Sequence, residues 1–223
     1  MYDEIASTLD AAHALAAEGA TSGTLVLADA QTSGRGRLGR AWTSMPGAGV
    51  WLTLIERPRD IAALDVLSLR VGIALAPALE AFLDDGIRLK WPNDVYVNSL
   101  KLAGILVEAR WRDATPEWIA IGVGINVRPP ASEPRATGLR PGASRLRVLE
   151  AVVPRIRAAA AEIGLMRDEE LQAFSDRDFA SGRACAEPVR GVVRGIDSRG
   201  SLLVDAGSHT VAVRTGSLVL KED

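Results

Sequence analysis

The chain has 223 residues, of which 48% are hydrophobic and 24% are charged, and its net charge at pH 7 is −2. These values suit one large globular domain with at most a small appendage, and the absence of a basic excess argues against a general nucleic-acid-binding protein. Cys185 is the single cysteine, which excludes an internal disulfide. The acidic N-terminal segment predicts no signal peptide, and no apolar run is long enough for a membrane span, so we expect a cytoplasmic protein.

The first half of the chain alternates short apolar runs with helical patterns. Ser7, followed three residues later by Asp10, resembles a capping box and predicts an alanine-rich helix that ends at Gly19. Thr115 and Pro116 predict a turn. The other predicted elements are a strand at 24–29, a strand at 49–56, a helix from Asp60 to about Leu83 that contains Pro77, a strand-break-strand segment at 87–98, and strands at 101–111 and 117–127.

The second half begins with a proline-rich loop at 128–142 and continues with two helices, at 144–164 and from Asp168 to Phe179. The pattern then changes to short apolar runs separated by glycine-containing turns, which predict strands. These runs lie at 189–197, 201–206, 209–214 and 217–220. A module of this size is too small to stabilise a core alone, so it should pack on the larger part. We therefore predict two domains, residues 1–182 and 186–223.

The segment "QTSGRGRLGR", from Gln31 to Arg40, lies between two predicted buried strands and holds three arginines and three glycines. Glycine permits a close approach of backbone to ligand, and guanidinium groups suit carboxylates and phosphates. The segment lacks the P-loop pattern, and a strand follows it instead of a helix. Three interpretations stay open at this point: a solvated surface hairpin, a contact to nucleic acid, and a loop that closes over an anionic small molecule.

Three further motifs, "KWPND" (90–94), "KLAGILVE" (101–108) and "GVGINV" (122–127), each have an ordinary structural interpretation when taken singly. Together with the glycine-arginine segment they place cations, glycine-thinned strands and tryptophans in one pattern, which predicts an anion site beside an apolar pocket. His13 and His209 are the only histidines, which argues against a catalytic triad or a histidine-cysteine metal cluster. Nucleotidyl transfer assisted by cationic residues and Mg²⁺ is the chemistry that remains.

"STL" (7–9), "QTSGRGRLGRAW" (31–42) and the three motifs above, in this order, resemble the biotin protein ligases across residues 1–127. The resemblance implies an α+β fold similar to class II aminoacyl-tRNA synthetases, with a central mixed β-sheet, flanking helices and a small C-terminal SH3-like β-barrel. It implies that biotin and ATP give biotinyl-5′-AMP, from which biotin passes to a lysine of a biotin carboxyl carrier protein. No helix-turn-helix pattern precedes Ser7, so we expect a monofunctional ligase, monomeric or homodimeric, without a DNA or membrane partner.

The resemblance also implies roles for particular residues. The expected catalytic residues are Lys101 and Arg37. The expected biotin contacts are Ser7, Thr8, Gln31, Arg35, Gly36, Arg37 and Lys101. The expected contacts to ATP or the adenylate are Arg35, Arg37, Arg40, Trp42, Asn93, Asn126 and Lys101. Mg²⁺ is expected near the phosphates, Asn93 and Asn126, and no protein metal ligand is assigned.

Leu9 departs from the family pattern, which usually reads Ser-Thr-Asn at this point. Loss of a hydrogen bond to a buried polar group costs roughly 1–3 kcal/mol, so Leu9 predicts weaker biotin binding unless water substitutes for the asparagine. The substitution keeps a ligase or acyltransferase for lipoate or octanoate as an alternative. A nucleic-acid-binding module is the second alternative, from a different class. For the ligase, the glycine-arginine loop would exclude water from the reactive adenylate.

Overall fold

A computed structural model describes residues 1–58 and 60–221. Its central sheet is built from β1 (Tyr2–Ile5), β2 (Leu25–Gln31), β3 (Gly49–Glu56), β4 (Ile87–Lys90), β5 (Asp94–Val97), β6 (Leu100–Arg112) and β7 (Thr115–Asn126). The seven strands lie in the order β1-β2-β3-β7-β6-β5-β4. β1 pairs with β2 in parallel and the other neighbours are antiparallel, so the sheet is mixed, as predicted.

Helices cover both faces of this sheet: α1 (Thr8–Ala17), α2 (Leu67–Glu80), α3 (Arg145–Ala161) and α4 (Asp168–Ser175). α1 packs against β2, β3 and β7 through a small apolar cluster that includes Leu9, Ile55 and Trp118. α2 and α3 pack on the opposite face, over residues such as Leu52 and Leu54. The division follows from the alternation of side chains along a strand. The α+β fold class is confirmed.

The predicted long helix after Asp60 is divided in the structure. The Oδ1 atom of Asp60 accepts a hydrogen bond from the Ala62 backbone N–H at 2.9 Å, a 3₁₀ turn covers Ala62–Val66, and α2 then runs to Glu80. The helical stretch Ala62–Glu80 has 19 residues and a mean hydropathy of 1.7, which by length and composition would suffice to cross a membrane. Because it packs between the sheet, α3 and α4, it is a core helix here.

The C-terminal part forms a second, antiparallel sheet of β8 (Ala184–Glu187), β9 (Gly191–Ile196), β10 (Leu202–Asp205), β11 (Thr210–Val213) and β12 (Val219–Leu220). Its five strands lie in the order β11-β10-β9-β8-β12. β8 was not among the predicted strands, and neither was β1. Residues 222–223 of the predicted second domain lie outside the described residues, and the division into domains 1–182 and 186–223 stays a prediction.

The second sheet is attached to the first through "KWPND". Trp91, which is fully buried, donates a hydrogen bond from Nε1 to the Gly200 carbonyl at 2.9 Å. Val193, Leu202 and Leu218 belong to the same hydrophobic cluster as the central sheet. The packing expected from the small size of the module is therefore present, and it brings the C-terminal part close to the predicted site.

The predicted turn at Thr115 and Pro116 is displaced by two residues. Both residues belong to β7, and the chain turns at Asp113, which has φ 53°. Pro116 is the second residue of the strand and lies opposite Trp111, next to an irregularity in the pairing. Proline is tolerated at such a position because its missing N–H removes no bond from a regular ladder.

The buried side chain of Arg70 anchors helix α2, which contacts the "KWPND" segment. Arg70 of α2 is 2% exposed and donates from Nε to Glu170 Oε1 at 2.7 Å and from Nη2 to Glu170 Oε2 at 3.1 Å. It also donates to the Gly164 and Leu165 carbonyls at 3.0 and 2.7 Å. Two residues earlier on the same helix, Ser68 donates to the Pro92 carbonyl at 3.1 Å. Arg70 therefore holds α2 in place behind "KWPND".

We expect Arg70→Met to destabilise the protein, because Glu170 and the bound carbonyls lose their buried partner. The expected loss in the free energy of unfolding is about 3–5 kcal/mol, measured by urea denaturation. Arg147→Met is the control, since Arg147 forms an exposed pair with Glu150 and should change stability by less than about 0.5 kcal/mol. Equal stabilities of the two variants would contradict this prediction.

Candidate active site

A cavity of about 160 Å³ opens over β6 and β7, between α1, the glycine-arginine segment and "KWPND". Side chains or backbone from all of the predicted motifs line it, although they are far apart in the sequence. The predicted site residues that line the cavity are Thr8, Gln31, Arg35, Gly36, Arg37, Arg40, Trp42, Asn93 and Lys101. Ser7 and Asn126 do not line it.

Ser7 is buried and caps α1. Its Oγ accepts a hydrogen bond from the Leu9 backbone N–H at 3.3 Å, so Ser7 caps the predicted helix, although through Leu9 and not through the expected pairing with Asp10. The structure gives this serine a structural task, and a contact to biotin stays a prediction for it.

Thr8 and Gln31 form a polar wall with fixed orientation. Gln31 Oε1 accepts from the Thr8 backbone N–H at 2.8 Å and from Thr8 Oγ1 at 3.1 Å, and Gln31 Nε2 donates to Ser44 Oγ at 2.8 Å. Thr8 Oγ1 in turn accepts from Thr53 Oγ1 at 2.9 Å. Because every polar atom of the Gln31 amide has a partner, its two ends cannot exchange without loss of hydrogen bonds.

The glycine-arginine segment is a tight hairpin. Gly36 N–H donates to the Arg40 carbonyl at 2.7 Å, and Trp42 N–H donates to the Gly34 carbonyl at 2.8 Å. Its tip is a 3₁₀ turn in which Leu38 has φ 55° and Gly39 has φ 73°. An open cavity of about 620 Å³ is lined by the hairpin and by Leu106 and Glu108 of β6.

The three arginines of the hairpin have different surroundings. Arg35 pairs with Asp10 at 2.8 Å and with Glu108 at 3.1 Å, and Arg40 donates to Ser217 Oγ at 3.5 Å. The Arg37 side chain has no hydrogen bond or ion pair to any other described residue. Burial lowers the pKa of Arg37, and the nearby Asp94 carboxylate opposes this effect. Arg37 stays protonated, so its donors are available to an anion.

Lys101 is the second residue of β6 and points into the cavity. Its Nζ lies 2.7 Å from Asp94 Oδ1 and 5.1 Å from the centre of the Trp42 ring. Its backbone N–H donates to the Arg135 carbonyl at 2.8 Å, and its carbonyl accepts from Thr137 N–H at 2.9 Å. The predicted loop at 128–142 therefore holds the backbone of Lys101 in place, and the side chain extends from there into the cavity.

Lys90 and Asp94 belong to "KWPND" but are not among the predicted contacts, and both line the cavity. Burial lowers the pKa of Lys90; Asp94 opposes the shift, and Lys101, Arg183 and Arg135 add to it. One carboxylate thus lies among several cations. An anionic ligand would restore the balance, which favours binding of a group with several negative charges.

A neighbouring cavity of about 180 Å³ shares Trp42 and Lys101 with the first. Asn126 lines it and is buried, and its Nδ2 donates weakly to the Lys101 carbonyl at 3.4 Å. Tyr96 also lines it and stacks on Phe179 at 4.8 Å between ring centres. Burial raises the pKa of Tyr96 to about 12, so it remains a neutral donor. The site therefore has two adjoining compartments.

Asn93 lines the first cavity and is bonded to strand β6. Its Nδ2 donates to the Ile105 carbonyl at 2.7 Å, and its carbonyl accepts from Ile105 N–H at 3.0 Å. Its side-chain oxygen has no hydrogen-bond donor among the described residues, and a contact to a ligand stays a prediction. Ser217 and Leu218 of the C-terminal part also line the first cavity, and no local motif could have indicated this because it depends on packing between distant segments.

Three glycines make room for the side chains that lie on the sheet. A Cβ atom at Gly124 would lie 2.6 Å from the Trp42 ring, and one at Gly104 would lie 2.9 Å from it. A Cβ at Gly122 would lie 3.2 Å from Leu9. The glycines of β6 and β7 therefore admit the Trp42 and Leu9 side chains, and a close approach of a ligand at Gly104 stays a prediction. Trp42 Nε1 is buried and, within 1–58 and 60–221, has no hydrogen-bond partner.

Comparisons with known proteins agree on one family. Residues 4–126 match the Biotin/lipoate A/B protein ligase family. The chain is 34% identical over 230 residues to the biotin--[acetyl-CoA-carboxylase] ligase of Mycobacterium tuberculosis, which covers 92% of this chain and 82% of that protein. It is 42% identical over 126 residues to the bifunctional ligase/repressor BirA of Bacillus spizizenii, which covers 56% of this chain but 39% of the relative.

Among solved structures, the biotin protein ligase from Aquifex aeolicus in complex with biotin and ATP is similar with a TM-score of 0.80 and 25% identity, covering 100% of this chain and 98% of that one. The chain belongs to the biotin/lipoate A/B protein ligase family. It spans less than two thirds of the length of the bifunctional relatives that it matches.

We expect Gly124→Ala to displace Trp42, because the added methyl group would overlap the indole ring. The expected effects are a loss of about 1–3 kcal/mol in the free energy of unfolding and greater quenching of tryptophan emission by acrylamide. Gly86→Ala is the matched control, since an added Cβ there meets no atom within 4 Å. If the stability and the acrylamide quenching of both variants match those of the unmodified protein, the position of Trp42 does not depend on the absence of a side chain at Gly124.

Proposed function

We propose that this protein activates biotin with ATP to give biotinyl-5′-AMP and pyrophosphate, and then transfers biotin to a lysine of a biotin carboxyl carrier protein. The observation that carries the proposal is the convergence of the predicted ligand residues, from separate motifs, on one cavity. The relatives support it: one is named for biotin ligation to acetyl-CoA carboxylase, and a structure of the same fold holds biotin and ATP. We include the cytoplasmic location in the proposal, in keeping with a free, buried Cys185.

The first cavity suits biotin, which is largely apolar with a polar ureido end. Thr8 and Gln31 offer fixed polar atoms at one end, and Leu9, Leu52 and Val123 supply apolar walls. Lys101 and Arg37 line the same cavity and suit the carboxylate of the valeryl chain. The second compartment, with Trp42, Tyr96 and Asn126, would then receive the nucleotide.

In the first half-reaction, a biotin carboxylate oxygen attacks the α-phosphorus of ATP, and the bond to the bridging oxygen breaks as pyrophosphate leaves. Negative charge builds up on the phosphoryl oxygens, and Lys101 and Arg37 lie where they would neutralise it. In the second, the neutral amine of the carrier lysine attacks the biotinyl carbonyl carbon, loses a proton, and AMP leaves. The Gly34–Arg40 hairpin would exclude water from the mixed anhydride between the two steps.

Mg²⁺ is part of the proposed reaction, and the donor atoms present are compatible with it. Among the described residues, no group of three or more histidine, cysteine or acidic side chains is placed to hold a metal ion by itself. Mg²⁺ commonly binds through one or two carboxylates together with substrate phosphates, and Asp94 with the Asn93 side-chain oxygen would supply that share. When bound, Mg²⁺ would neutralise charge on the leaving pyrophosphate.

Leu9 favours a second candidate function, ligation of lipoate or octanoate. It is 4% exposed, packs against Gly122 and adds apolar surface where the usual asparagine would place an amide. Lipoate and octanoate both lack a ureido group, so neither would lose a hydrogen bond by this change. The nucleic-acid alternative is not favoured, because Arg35 is engaged by two carboxylates and Arg37 points into a cavity.

We expect the full chain, incubated with biotin, ATP, Mg²⁺ and an apo carrier domain, to biotinylate the carrier and to release pyrophosphate only when biotin is present. Mass spectrometry of the carrier and a coupled pyrophosphate assay measure both half-reactions. A carrier whose acceptor lysine is replaced by arginine controls for the transfer. Transfer of lipoate or octanoate instead of biotin in competition would favour the second candidate, and no transfer of any of the three would refute both.

We expect Lys101→Ala to slow pyrophosphate release by about 10²–10³, because one stabilising donor is lost from the transition state. The stability should change little, since the Lys101–Asp94 pair is partly exposed. Arg37→Ala should instead speed the release of biotinyl-5′-AMP, measured by chase with unlabelled ligand. Arg112→Ala, which removes an exposed arginine from the same strand β6, is the control. Normal biotinylation by Lys101→Ala would remove the main catalytic assignment.

A further inference from the structure

A chain of hydrogen-bonded side chains leads from the core to the glycine-arginine hairpin. Trp118 Nε1 donates to His13 Nδ1 at 3.0 Å, and His13 Nε2 lies 2.9 Å from Glu108 Oε2. The same Glu108 oxygen accepts from Arg35 Nη2 at 3.1 Å. None of Trp118, His13 and Glu108 is a proposed ligand contact. This series of hydrogen bonds therefore does not serve to contact the ligand directly.

The direction of each bond in this chain is fixed by chemistry. An indole N–H only donates, so His13 Nδ1 must be the acceptor and the ring proton must lie on Nε2. Nε2–H then donates to Glu108, whose oxygen receives a second donor from Arg35. Glu108 is therefore oriented from one side by His13 and uses the same atom to hold Arg35.

Trp118, at the inner end of this series of side chains, is held by close packing. Trp118 is 9% exposed and packs with Leu9, Ile55 and other residues between α1 and the sheet. The guanidinium carbon of Arg57 lies 5.7 Å from the centre of its ring. A fixed indole and a short imidazole leave Glu108 little freedom, unlike the two long side chains of an ordinary surface ion pair.

Arg35, at the outer end of this series, belongs to the glycine-arginine hairpin. Arg35 lines both the main cavity and the larger space beneath the hairpin, and Asp10 binds the same Nη2 atom at 2.8 Å. Asp10 and His13 are three residues apart on α1, so they lie on one side of that helix. Helix α1 and strand β6 thus fix Arg35 together at the edge of the cavity.

We propose that Glu108, oriented by His13 and Trp118, is a positioning residue that holds Arg35 and thereby the hairpin in the place required for binding biotin and retaining its adenylate. The inference rests on the proposed function and deepens it, because it assigns the preorganisation of the hairpin to residues outside the ligand contacts. Preorganised groups bind more tightly because less ordering accompanies binding.

The test compares Glu108→Ala, His13→Leu and Arg35→Ala with Glu117→Ala. Glu117 is a matched control, because it is a partly exposed carboxylate on the neighbouring strand β7 and pairs with an arginine, Arg112. Three quantities are measured for each variant: the KM for biotin against kcat in the pyrophosphate assay, the rate of biotinyl-5′-AMP release, and the rate of tryptic cleavage at Arg37 and Arg40 without ligands.

We expect Glu108→Ala to raise the KM for biotin and the adenylate release rate about tenfold, as loss of a charged hydrogen bond implies, with little change in kcat. His13→Leu should act in the same direction, and tryptic cleavage should be faster in both. Glu108→Gln keeps one oxygen for both donors and should recover most of the loss. The Glu108→Ala/Arg35→Ala double variant should be no worse than Arg35→Ala alone.

The inference is overturned if Glu108→Ala matches Glu117→Ala in all three measurements, or if the double variant shows the product of the two single effects. It is also overturned if Glu108→Gln is as impaired as Glu108→Ala in cleavage and kinetics alike. A protein that releases no pyrophosphate with biotin and ATP would instead refute the proposed function. The cleavage rates would then still decide whether Glu108 holds the hairpin.

Discussion

The close contact between Trp42 and the backbone of Gly104 and Gly124 is the constraint on which the site depends. The indole lies where two ordinary side chains would project from neighbouring strands, so the sheet accepts it only because both Cβ atoms are missing. Gly104 and Gly124 are paired across β6 and β7, so the gap is continuous. Trp42 lies at the end of the glycine-arginine hairpin. Because its indole packs on the sheet, the hairpin is held over the cavity.

The same constraint explains the two compartments. Trp42 and Lys101 line both cavities, and the Lys101 ammonium lies over the Trp42 ring at 5.1 Å. A cation over an indole face is attracted by the ring, and here Asp94 adds a second attraction. The lysine is thus held at the junction between the polar end formed by Thr8 and Gln31 and the cation-rich end. An acid bound on one side and a phosphate bound on the other would meet at this point.

Sequence reasoning recovered those parts of the fold whose signal is local. β3 coincides with its predicted run at 49–56, and the glycine-thinned segment "GVGINV" belongs to a strand, as predicted. β1 was missed because "YDEI" is short and mostly exposed, and it becomes a strand only by pairing with β2. The cavity contacts of Ser217 and the anchoring by Arg70 depend on distant segments, which no local pattern encodes.

The three arginines of the hairpin differ in burial and in their charged neighbours, although the sequence motif alone does not distinguish them. Arg35 is engaged by two carboxylates, Arg40 reaches the C-terminal part, and Arg37 is half-buried beside Asp94. A guanidinium that is already paired loses those bonds if it turns to a ligand, whereas one without a protein partner gains bonds at once. Arg35 and Arg40 thus contact other parts of the protein, and Arg37 is the arginine that we propose to respond to an anion in the cavity.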